Sequence, residues 1–258
     1  MNVNIGTPFF SGFDVDPELE WQMSRAEKYC LINLLECLQP EAAIEIGTYK
    51  GGSLQVINRY SEKVYSIDIS KAPKNFLENK FPDVTFIVGE GHNTVLEIFR
   101  EIEEQNKKLS FILVDGDHTK KGVMRDLTVI LSYPHKHPLT IILHDSFNPQ
   151  CRKGIKSVDY SKYPMVEYIE LDYITGAFWH NETYREMWGG FAMIKLNPLK
   201  KEAGVEINEC QKRLFRNTYP ASVHWFKDPL QLLSPLKKFL YKKLGKSHKS
   251  AIYDNFDQ

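Results

Sequence analysis

The chain has 258 residues, with 33 Lys and Arg against 33 Asp and Glu, so its formal net charge at pH 7 is zero. Because nucleic-acid binding depends on clustered positive charge, this balance argues against a protein that coats DNA or RNA. The length is sufficient for one large domain whose hydrophobic core needs no disulfides or metal sites to stabilise it.

The cysteines and the N-terminus indicate the compartment. The four cysteines (Cys30, Cys37, Cys151 and Cys210) form no C-x-x-C pair and are expected to be reduced thiols in the core. The N-terminal sequence has no basic segment followed by an apolar one, and no apolar run approaches the roughly 18 residues of a membrane span. These features predict a cytoplasmic protein.

Short, β-branched apolar runs alternate with longer helical patterns along most of the chain. The runs cover residues 42–46, 64–69, 84–88, 111–114 and 139–143, and helical patterns follow around Leu54, Thr94 and Met124. Continuous apolar runs are typical of strands that are covered on both faces. They predict an α/β fold with a doubly wound parallel sheet.

The pattern changes after the fifth run. Residues 166–171 and 191–196 are predicted to form an antiparallel pair, joined by a polar, aromatic segment without a clear helix. The predicted fold is therefore a Rossmann-like, seven-stranded sheet that is mostly parallel with an antiparallel last strand and has helices on both faces. Further helices are predicted over about 18–38 and, rich in Lys, about 229–244.

The domain organisation is predicted to be simple, because the chain shows no internal repeat and no low-complexity linker. Residues 1–258 are interpreted as one domain with its core at about 40–197. Residues 1–39 form an N-terminal helical extension, and residues 198–258 form a C-terminal, basic helical extension.

The first predicted βα turn is rich in glycine and reads E-I-G-T-Y-K-G-G-S from Glu45 to Ser53. Gly47 permits a sharp bend, and Gly51 and Gly52 would let a ligand approach the N-terminus of the next helix, which favours anionic groups. Ser53 is placed either to cap that helix or to bind a carboxylate. An ordinary structural turn is the alternative interpretation.

An acidic residue in the second strand supports a ligand here. Asp68 lies 21 residues after Gly47, which matches the offset of about 20 residues at which an acidic side chain holds a ribose diol. The two features together predict a ligand that contains adenosine. NAD is disfavoured, because Thr48 and Tyr49 stand where a second glycine would admit a pyrophosphate.

Polar clusters follow the fourth and fifth predicted strands, D-G-D-H from Asp115 to His118 and H-D-S from His144 to Ser146. Since the carboxyl ends of parallel strands face one crevice, the clusters should converge beside the glycine-rich turn. Carboxylates and a histidine in one crevice make a candidate divalent-metal site, with oxygen ligands favouring Mg or Mn. Asp117 as a helix cap and His144 as a hydrogen-bonded core histidine are the structural alternatives.

The turn from Glu45 to Ser53 resembles motif I of class I S-adenosylmethionine-dependent methyltransferases, in particular the catechol O-methyltransferase-like and macrocin O-methyltransferase-like groups. The likeness runs over about residues 45–196. It implies S-adenosylmethionine as cofactor, with the methionine end on the turn, the ribose on the acid of strand two and the adenine beside the loop after strand three. The residues so implied are Glu45, Gly47, Thr48, Tyr49, Gly51, Ser53, Asp68, Gly91, His92 and Asp115. For His92, a solvent-facing residue at a helix start is the alternative.

The second constellation is similar to the methyltransferase family often labelled with macrocin O-methyltransferase and cephalosporin hydroxylase. The resemblance implies Asp115, His144 and Asp145 as metal ligands and His118 as general base. One departure is that the relatives have oxygen donors in the strand-five pair, whereas this chain has His144. A nitrogen ligand shifts the metal preference from Mg towards Mn, Fe or Zn. With an ordinary pKa near ~6.5, His118 is expected to accept a proton at neutral pH.

The predicted function is S-adenosylmethionine-dependent methyl transfer to a hydroxyl of a small molecule, such as a sugar or natural product. Asp115, His118 and Asp145 are the candidate catalytic residues, assisted by a divalent metal. An NAD-dependent oxidoreductase and a non-catalytic S-adenosylmethionine-binding protein are the alternatives. Aromatic residues in segments 8–13 and 173–190 are candidates to cover the site.

The predicted partner is a small-molecule hydroxyl substrate, and no nucleic acid is expected. The Lys-rich segment after residue 229 is predicted to dock on the domain, with contact to an anionic membrane or to another protein as the alternative. The sequence leaves open whether the chain forms a homo-oligomer.

Overall fold

The computed structural model describes residues 15–180, 185–202 and 204–231. The strands are β1 Ala42–Ile46, β2 Val64–Asp68, β3 Val84–Val88, β4 Leu109–Val114, β5 Leu139–His144, β6 Val166–Ile174, β7 Ala177–His180, β8 Arg185–Trp188, β9 Phe191–Leu196 and β10 Ile207–Asn208. The helices are α1 Arg25–Leu38, α2 Leu54–Tyr60, α3 Ala72–Leu77, α4 Gly91–Glu104, α5 Lys120–Ser132, α6 Pro149–Lys156, α7 Lys212–Thr218 and α8 His224–Gln231.

Eight of these strands form one sheet in the order β10-β6-β9-β5-β4-β1-β2-β3. The first five strands of the chain, β1 to β5, pair in parallel with one another. Strand β9 lies between β5 and β6 and is antiparallel to both. The predicted Rossmann-like sheet, mostly parallel with an antiparallel last strand, is thus confirmed. The predicted count of seven is wrong, because the two-residue edge strand β10 is too short to leave a periodic pattern.

The hydrophobic core has two layers, one on each face of the sheet. Alternate residues of β4 point to opposite faces, so Ile112 and Val114 pack with one layer and Phe111 and Leu113 with the other. Helices α4, α5 and α6 cover the first face, and α1, α2 and α3 cover the second. Burial on both faces explains why these strands are continuous apolar runs.

Two predicted segments differ from the structure. The first helix begins at Arg25 instead of residue 18, because Ser24 and Glu27 form a capping box that starts it there. The aromatic segment before β9 contains a separate two-stranded hairpin, β7–β8. Helices α3 and α6, each short and flanked by polar residues, were not predicted from periodicity.

Other expectations have mixed outcomes. All four cysteines are free, but Cys37 and Cys210 are exposed, so the expectation of four core thiols is wrong. Among the residues described, no helix has the length and apolar character needed to cross a bilayer. The candidate cover segment 8–13 and the predicted Lys-rich helix beyond Gln231 lie outside the described residues.

Candidate functional site

A cavity of about 1360 Å³ opens at the carboxyl ends of the parallel strands. The glycine-rich loop after β1 and the ends of β2, β4 and β5 line it, together with residues 20–23 before α1 and parts of the β7–β8 hairpin. The lining includes most of the predicted site residues, namely Gly47, Thr48, Tyr49, Ser53, Asp68, Gly91, His92, Asp115, His118, His144 and Asp145. Helix–sheet topology therefore brings the two predicted constellations into one cavity.

Gly47 is the position at which the loop must carry no side chain. Its φ is +94°, and a Cβ there would lie 2.2 Å from the backbone oxygen of Asp115. Its amide donates to the carbonyl of Ile67 at 2.8 Å. The loop thus packs directly on the end of β4, which fixes the distance between the loop and the Asp115 cluster.

The other two loop glycines have a packing role. A Cβ on Gly52 would lie 2.4 Å from the Cα of Trp21, and a Cβ on Gly51 would lie 2.8 Å from the side chain of Leu77. Both positions therefore require glycine for packing, while Gly52 also lines the cavity, so the approach of a ligand beside it stays a prediction. Gly51 is absent from the described cavity lining.

Asp68 holds the glycine-rich loop as well as lining the cavity. Its Oδ2 accepts hydrogen bonds from the amides of Thr48 (3.1 Å) and Tyr49 (3.3 Å), and its Oδ1 accepts one from the amide of Ser70 (2.8 Å). Tyr49 has a φ of +48°, an uncommon conformation for a residue other than glycine. The carboxylate of Asp68 therefore stabilises the loop conformation against which a cofactor would bind.

Glu45 lies behind the loop instead of in the described cavity lining. It is fully buried, accepts a hydrogen bond from Ser53 Oγ at 2.5 Å, and lies 3.3 Å from Ser66 Oγ. Ser53 stands at the N-cap of α2 but makes no side-chain capping bond. Burial, supported by the negative charge of Asp115, raises the pKa of Glu45 to about 8 despite the hydrogen bond from Ser53. In this position Glu45 supports the loop from below.

The raised pKa of Glu45 predicts a pH dependence of stability. Between about pH 4.5 and pH 8 the folded chain keeps a proton that the unfolded chain has lost. The free energy of unfolding should therefore fall as the pH rises through this window, by up to about 1.4 kcal/mol per pH unit. Glu45→Gln should reduce this slope in urea unfolding measured from pH 5 to 8, leaving the part that comes from the raised pKa values of His118 and Asp126. The surface variant Glu97→Gln should leave the whole slope unchanged. An unchanged slope in Glu45→Gln would show that Glu45 is ionised in the fold.

His92 and Gly91 begin helix α4 at the adenine side predicted for the cavity. His92 Nε2 lies 3.3 Å from Glu90 Oε2, and its Nδ1 lies 3.5 Å from Asp126 Oδ1. Burial raises the pKa of Asp126 to about 6. Gly91 packs on Ile46, and a Cβ on Gly91 would lie only 2.7 Å from the Cγ2 of Ile46. The imidazole of His92 is therefore held on the cavity wall between two carboxyl groups.

The ends of β4 and β5 bring four side chains together. His118 Nε2 lies 3.3 Å from Asp115 Oδ1 and 3.1 Å from Asp145 Oδ2. His144 Nδ1 lies 2.9 Å from Asp115 Oδ1 and 3.8 Å from Asp145 Oδ2. We call Asp115, His118, His144 and Asp145 the strand-end cluster. Asp117 is outside it, and its Oδ1 accepts the amide of Thr119 just before α5. The alternative that Asp117 caps this helix is wrong, because the N-cap is Thr119, whose Oγ1 accepts the amide of Gly122.

Asp145 has a backbone conformation that few residues adopt. Its φ is +57°, and its Oδ1 accepts a hydrogen bond from the amide of Gly189 at 2.6 Å. Left-handed backbone at a residue other than glycine costs free energy and is concentrated at functional sites. The turn before β9 thus helps to hold the Asp145 carboxylate in the cavity.

Charge in the strand-end cluster changes the expected behaviour of His118. Burial by itself lowers the pKa of His118, but hydrogen bonds and charge from Asp115 and Asp145 outweigh it and raise the pKa to about 10. The expectation of an ordinary pKa near ~6.5 is therefore wrong. With both carboxylates uncompensated, His118 holds a proton at neutral pH.

The pKa of His144, the buried histidine of the cluster, is raised in the same way. Burial alone would lower the pKa of His144, but Asp115, Asp145 and Glu27 raise it well above its ordinary value. Conversely, the two histidines hold the pKa of Asp115 at about 2 although burial opposes this. Within the cluster, the carboxylates thus favour the protonated form of the histidines, and the histidines favour the ionised form of the carboxylates.

Three of these side chains could hold a metal ion. Asp115, His144 and Asp145 each offer one ligand atom, and the three atoms lie within 4.8 Å of one another. Two carboxylate oxygens and one imidazole nitrogen fit a transition metal such as Mn better than Mg. Binding would require His144 Nδ1 to be deprotonated.

Glu27 was missed by sequence reasoning, whereas Trp179 and Trp188 belong to the aromatic segment 173–190 that was named as a candidate cover. Glu27 Oε1 lies 3.1 Å from His144 Nε2, and the residue is only 1% exposed. An S-x-x-E pattern such as the one starting at Ser24 is typical of a helix start, but nothing local indicated a partner 117 residues away. Trp188 lines the cavity and contacts the His118 ring edge-on at 5.7 Å between centroids. Trp179 also lines the cavity and is 60% exposed.

Comparison with known proteins agrees with this geometry. The family model described as a methyltransferase domain matches residues 44–147. A cofactor-bound protein from MTB, Rv0187, has a TM-score of 0.50 at 14% identity, over 69% of this chain and 84% of that one. At such an identity the likeness shows the fold.

Two further solved structures are similar to the chain. The O-methyltransferase from Bacillus cereus in complex with SAH has a TM-score of 0.49 at 17% identity, covering 70% of this chain and 84% of that one. The O-methyltransferase TomG from Streptomyces achromogenes, involved in tomaymycin synthesis and in complex with SAM, has a TM-score of 0.48 at 14% identity, covering 70% and 82%. No curated protein matches the sequence.

The matched residues 44–147 contain the glycine-rich loop, Asp68 and the whole strand-end cluster. They form the central parallel part of the doubly wound sheet. Residues 44–147 of the chain are therefore similar to a methyltransferase domain.

Proposed function

We propose that the protein transfers the methyl group of S-adenosylmethionine to a hydroxyl group of a small molecule. The observation that carries the proposal is the position of His118. Its Nε2 lies within 3.3 Å of both Asp115 and Asp145, in the same cavity as the glycine-rich loop. A proton acceptor beside the methyl donor is what O-methyl transfer requires, because a hydroxyl must lose its proton as it is methylated.

The residues have distinct roles in this proposal. The loop from Gly47 to Ser53 holds the methionine end of the cofactor, and Asp68 holds the ribose while it keeps the loop in place. S-adenosylmethionine supplies a methyl group that is already activated on a sulfonium, so the chain must chiefly align the acceptor and remove its proton.

In this proposal the strand-end cluster binds the substrate hydroxyl and removes its proton. Asp115, His144 and Asp145 would hold a divalent cation, which lowers the pKa of a bound hydroxyl and fixes its position. Asp115 and Asp145 keep His118 protonated while their charge is uncompensated. With a cation bound at the cluster, that charge would be offset, and His118 could then take the proton of the substrate hydroxyl at Nε2. The proposed cation and the proposed base therefore depend on each other.

The walls beyond the cluster favour an acceptor with a flat face. Trp179 and Trp188 lie on the hairpin side of the cavity, and aromatic rings stack on sugar or aromatic ligands. Eight residues that carry a carboxyl group line the cavity as a whole, namely Glu20, Glu27, Asp68, Glu90, Asp115, Asp117, Asp126 and Asp145. A neutral, hydroxyl-rich acceptor such as a sugar or a natural product fits this lining better than an anionic one.

The alternatives fit the site less well. An NAD-dependent oxidoreductase would need room for a pyrophosphate where the loop has Thr48 and Tyr49, and the latter is already in a left-handed conformation. A non-catalytic cofactor-binding protein would not explain two carboxylates and two histidines kept together at the cavity wall.

The direct test is transfer of a labelled methyl group. The full chain is incubated with [methyl-13C]S-adenosylmethionine, Mn2+ and a panel of hydroxylated glycosides and phenols, and O-methyl products are identified by mass spectrometry and NMR. Thermal stabilisation by S-adenosylhomocysteine but not by NAD is expected beforehand. Binding of the cofactor without transfer to any class of hydroxyl, or transfer to nitrogen alone, would refute the proposal.

Removal of the Asp68 carboxylate should weaken cofactor binding. Asp68→Ala is expected to raise the dissociation constant for S-adenosylhomocysteine by at least about tenfold, since hydrogen bonds to charged groups contribute about 1.5–3 kcal/mol each. Calorimetry measures the change, and Asp83→Ala, a surface variant after α3, serves as control. An unchanged affinity would remove Asp68 from the cofactor site.

A further inference from the structure

Glu27 is a buried carboxylate that reaches the site from outside the family-matched residues 44–147. It lies in the first turn of α1 and is 1% exposed. Its Oε1 accepts a hydrogen bond from the amide of Gly190 at 2.5 Å and lies 3.1 Å from His144 Nε2. Its Oε2 accepts a hydrogen bond from the amide of Ser24 at 2.5 Å.

This set of contacts is more than a capping box requires. A capping box needs only the contact with the Ser24 amide, which an exposed carboxylate could make without the cost of burial. Instead the carboxylate is inserted between β5 and the turn before β9. The N–H groups that it meets there belong to His144 and Gly190, and neither is close to it in sequence.

The backbone of the turn Gly189–Gly190 directs its N–H groups towards the carboxylates of the site. Both residues have positive φ, +74° and +83°. A Cβ on Gly189 would lie 3.0 Å from Glu27 Oε1, and a Cβ on Gly190 would lie 2.7 Å from the Gly176 amide nitrogen. The two successive amides point at two carboxylates, that of Gly189 at Asp145 and that of Gly190 at Glu27.

The ring of His144 is therefore held from two sides. Nε2 faces Glu27 at 3.1 Å, and Nδ1 faces Asp115 at 2.9 Å. Without a partner at Nε2, the imidazole could rotate about χ2, which would place Cδ2 where Nδ1 lies and Cε1 where Nε2 lies. A carboxylate behind a histidine ring fixes the orientation and the tautomer of the ring.

We propose that Glu27 is a positioning residue that holds His144 by Nε2, so that Nδ1 stays directed at Asp115 and Asp145. Through the same carboxylate, α1 and the Gly189–Gly190 turn are tied to the strand-end cluster. The N-terminal helix thus completes a site that the family-matched residues do not complete alone. For its meaning in catalysis this inference rests on the proposed function.

The test compares Glu27→Leu, which removes all acceptor atoms at similar size, with Glu27→Gln, which keeps one neutral acceptor. Ile32→Val is the matched control, because Ile32 is a buried residue of the same helix and belongs to the hydrophobic core. The readout is 15N NMR of the His144 ring in the full chain without added ligand, with the signals assigned by their loss in His144→Asn.

The wild type should show an exchange-protected Nε2–H on His144. In Glu27→Leu this proton should lose its protection and both ring nitrogens should shift, with Glu27→Gln intermediate and Ile32→Val unchanged. With an acceptor from the transfer screen, kcat should fall about 10–100-fold in Glu27→Leu while KM for S-adenosylmethionine changes less than about twofold.

A folded Glu27→Leu protein with wild-type ring signals would overturn the proposal. Should Glu27→Leu fail to fold, wild-type ring signals in Glu27→Gln would overturn it instead. The NMR readout is independent of methyl transfer, so a wild type that transfers no methyl group but shows the expected shifts refutes only the proposed function. An active wild type whose Glu27 variants keep both ring signals and kcat refutes only the positioning role.

Discussion

Replacing Asp145 with asparagine is expected to reduce methyl transfer by about 10²–10⁴-fold while leaving the affinity for S-adenosylhomocysteine within about twofold of wild type. The carboxylate lies beside His118 and His144 at the end of β5, away from the glycine-rich loop. Asparagine adopts left-handed backbone more readily than alanine does, so this variant keeps the φ of +57° at lower cost. The loss of activity in this variant then reports the loss of the carboxylate and not a change in the backbone.

The measurements are single-turnover methyl transfer and calorimetric titration on the same protein preparation. Asp159→Asn, which removes an exposed carboxylate from the turn after α6, should leave both values unchanged. Asp145→Ala should match Asp145→Asn in activity and be less stable. If activity and cofactor affinity fell together and equally, Asp145 would belong to the cofactor site and the role proposed for it would be wrong.

Gly47→Ala is expected to destabilise the fold by about 2–5 kcal/mol, combining a left-handed alanine with overpacking against backbone. Unlike a clash with a flexible side chain, the overlap is with the carbonyl of Asp115 and the Cα of Gly116. Relief would require the end of β4 to move away from the loop. Cofactor affinity and transfer should therefore both decline, even in protein that remains folded.

A second glycine separates the two contributions. Gly204 also has a positive φ, +102°, but a Cβ there would have no neighbour within 4 Å. Gly204→Ala should show only the cost of the left-handed alanine, about 1–2 kcal/mol. The difference between the two variants in urea unfolding measures the overlap at the loop. Equal destabilisation would mean that the loop can move away from β4 without cost.

Much of the fold was predictable because its signals are local. Buried parallel strands are continuous apolar runs, and all five strands predicted from such runs match β1 to β5 to within about two residues at each end. The glycine-rich loop could be predicted because the bend after β1 demands a positive φ at Gly47. The convergence of Asp115 and Asp145 followed from topology, since parallel strands end on the same side of the sheet.

Other features depend on contacts between distant segments. The backbone of Trp21 packs beside Gly52, so this position of the cavity wall requires glycine because of a contact that the sequence does not show. Glu45 contacts Ser53 and Ser66 behind the loop and does not line the cavity. Its place depends on how the helices pack over β1, whereas the sequence pattern indicates only that both faces of this strand are buried.

The sequence by itself determined the order of strands and helices, the loop and the residue types at the strand ends, because each follows from backbone conformation or periodic burial. Only the tertiary structure decided the protonation of His118 and the partnership of Glu27 with His144. A pKa depends on the charges within a few ångströms, and those that act on His118 come from the residues that follow β4 and β5. Glu27 reaches His144 from a helix that lies 117 residues earlier in the chain.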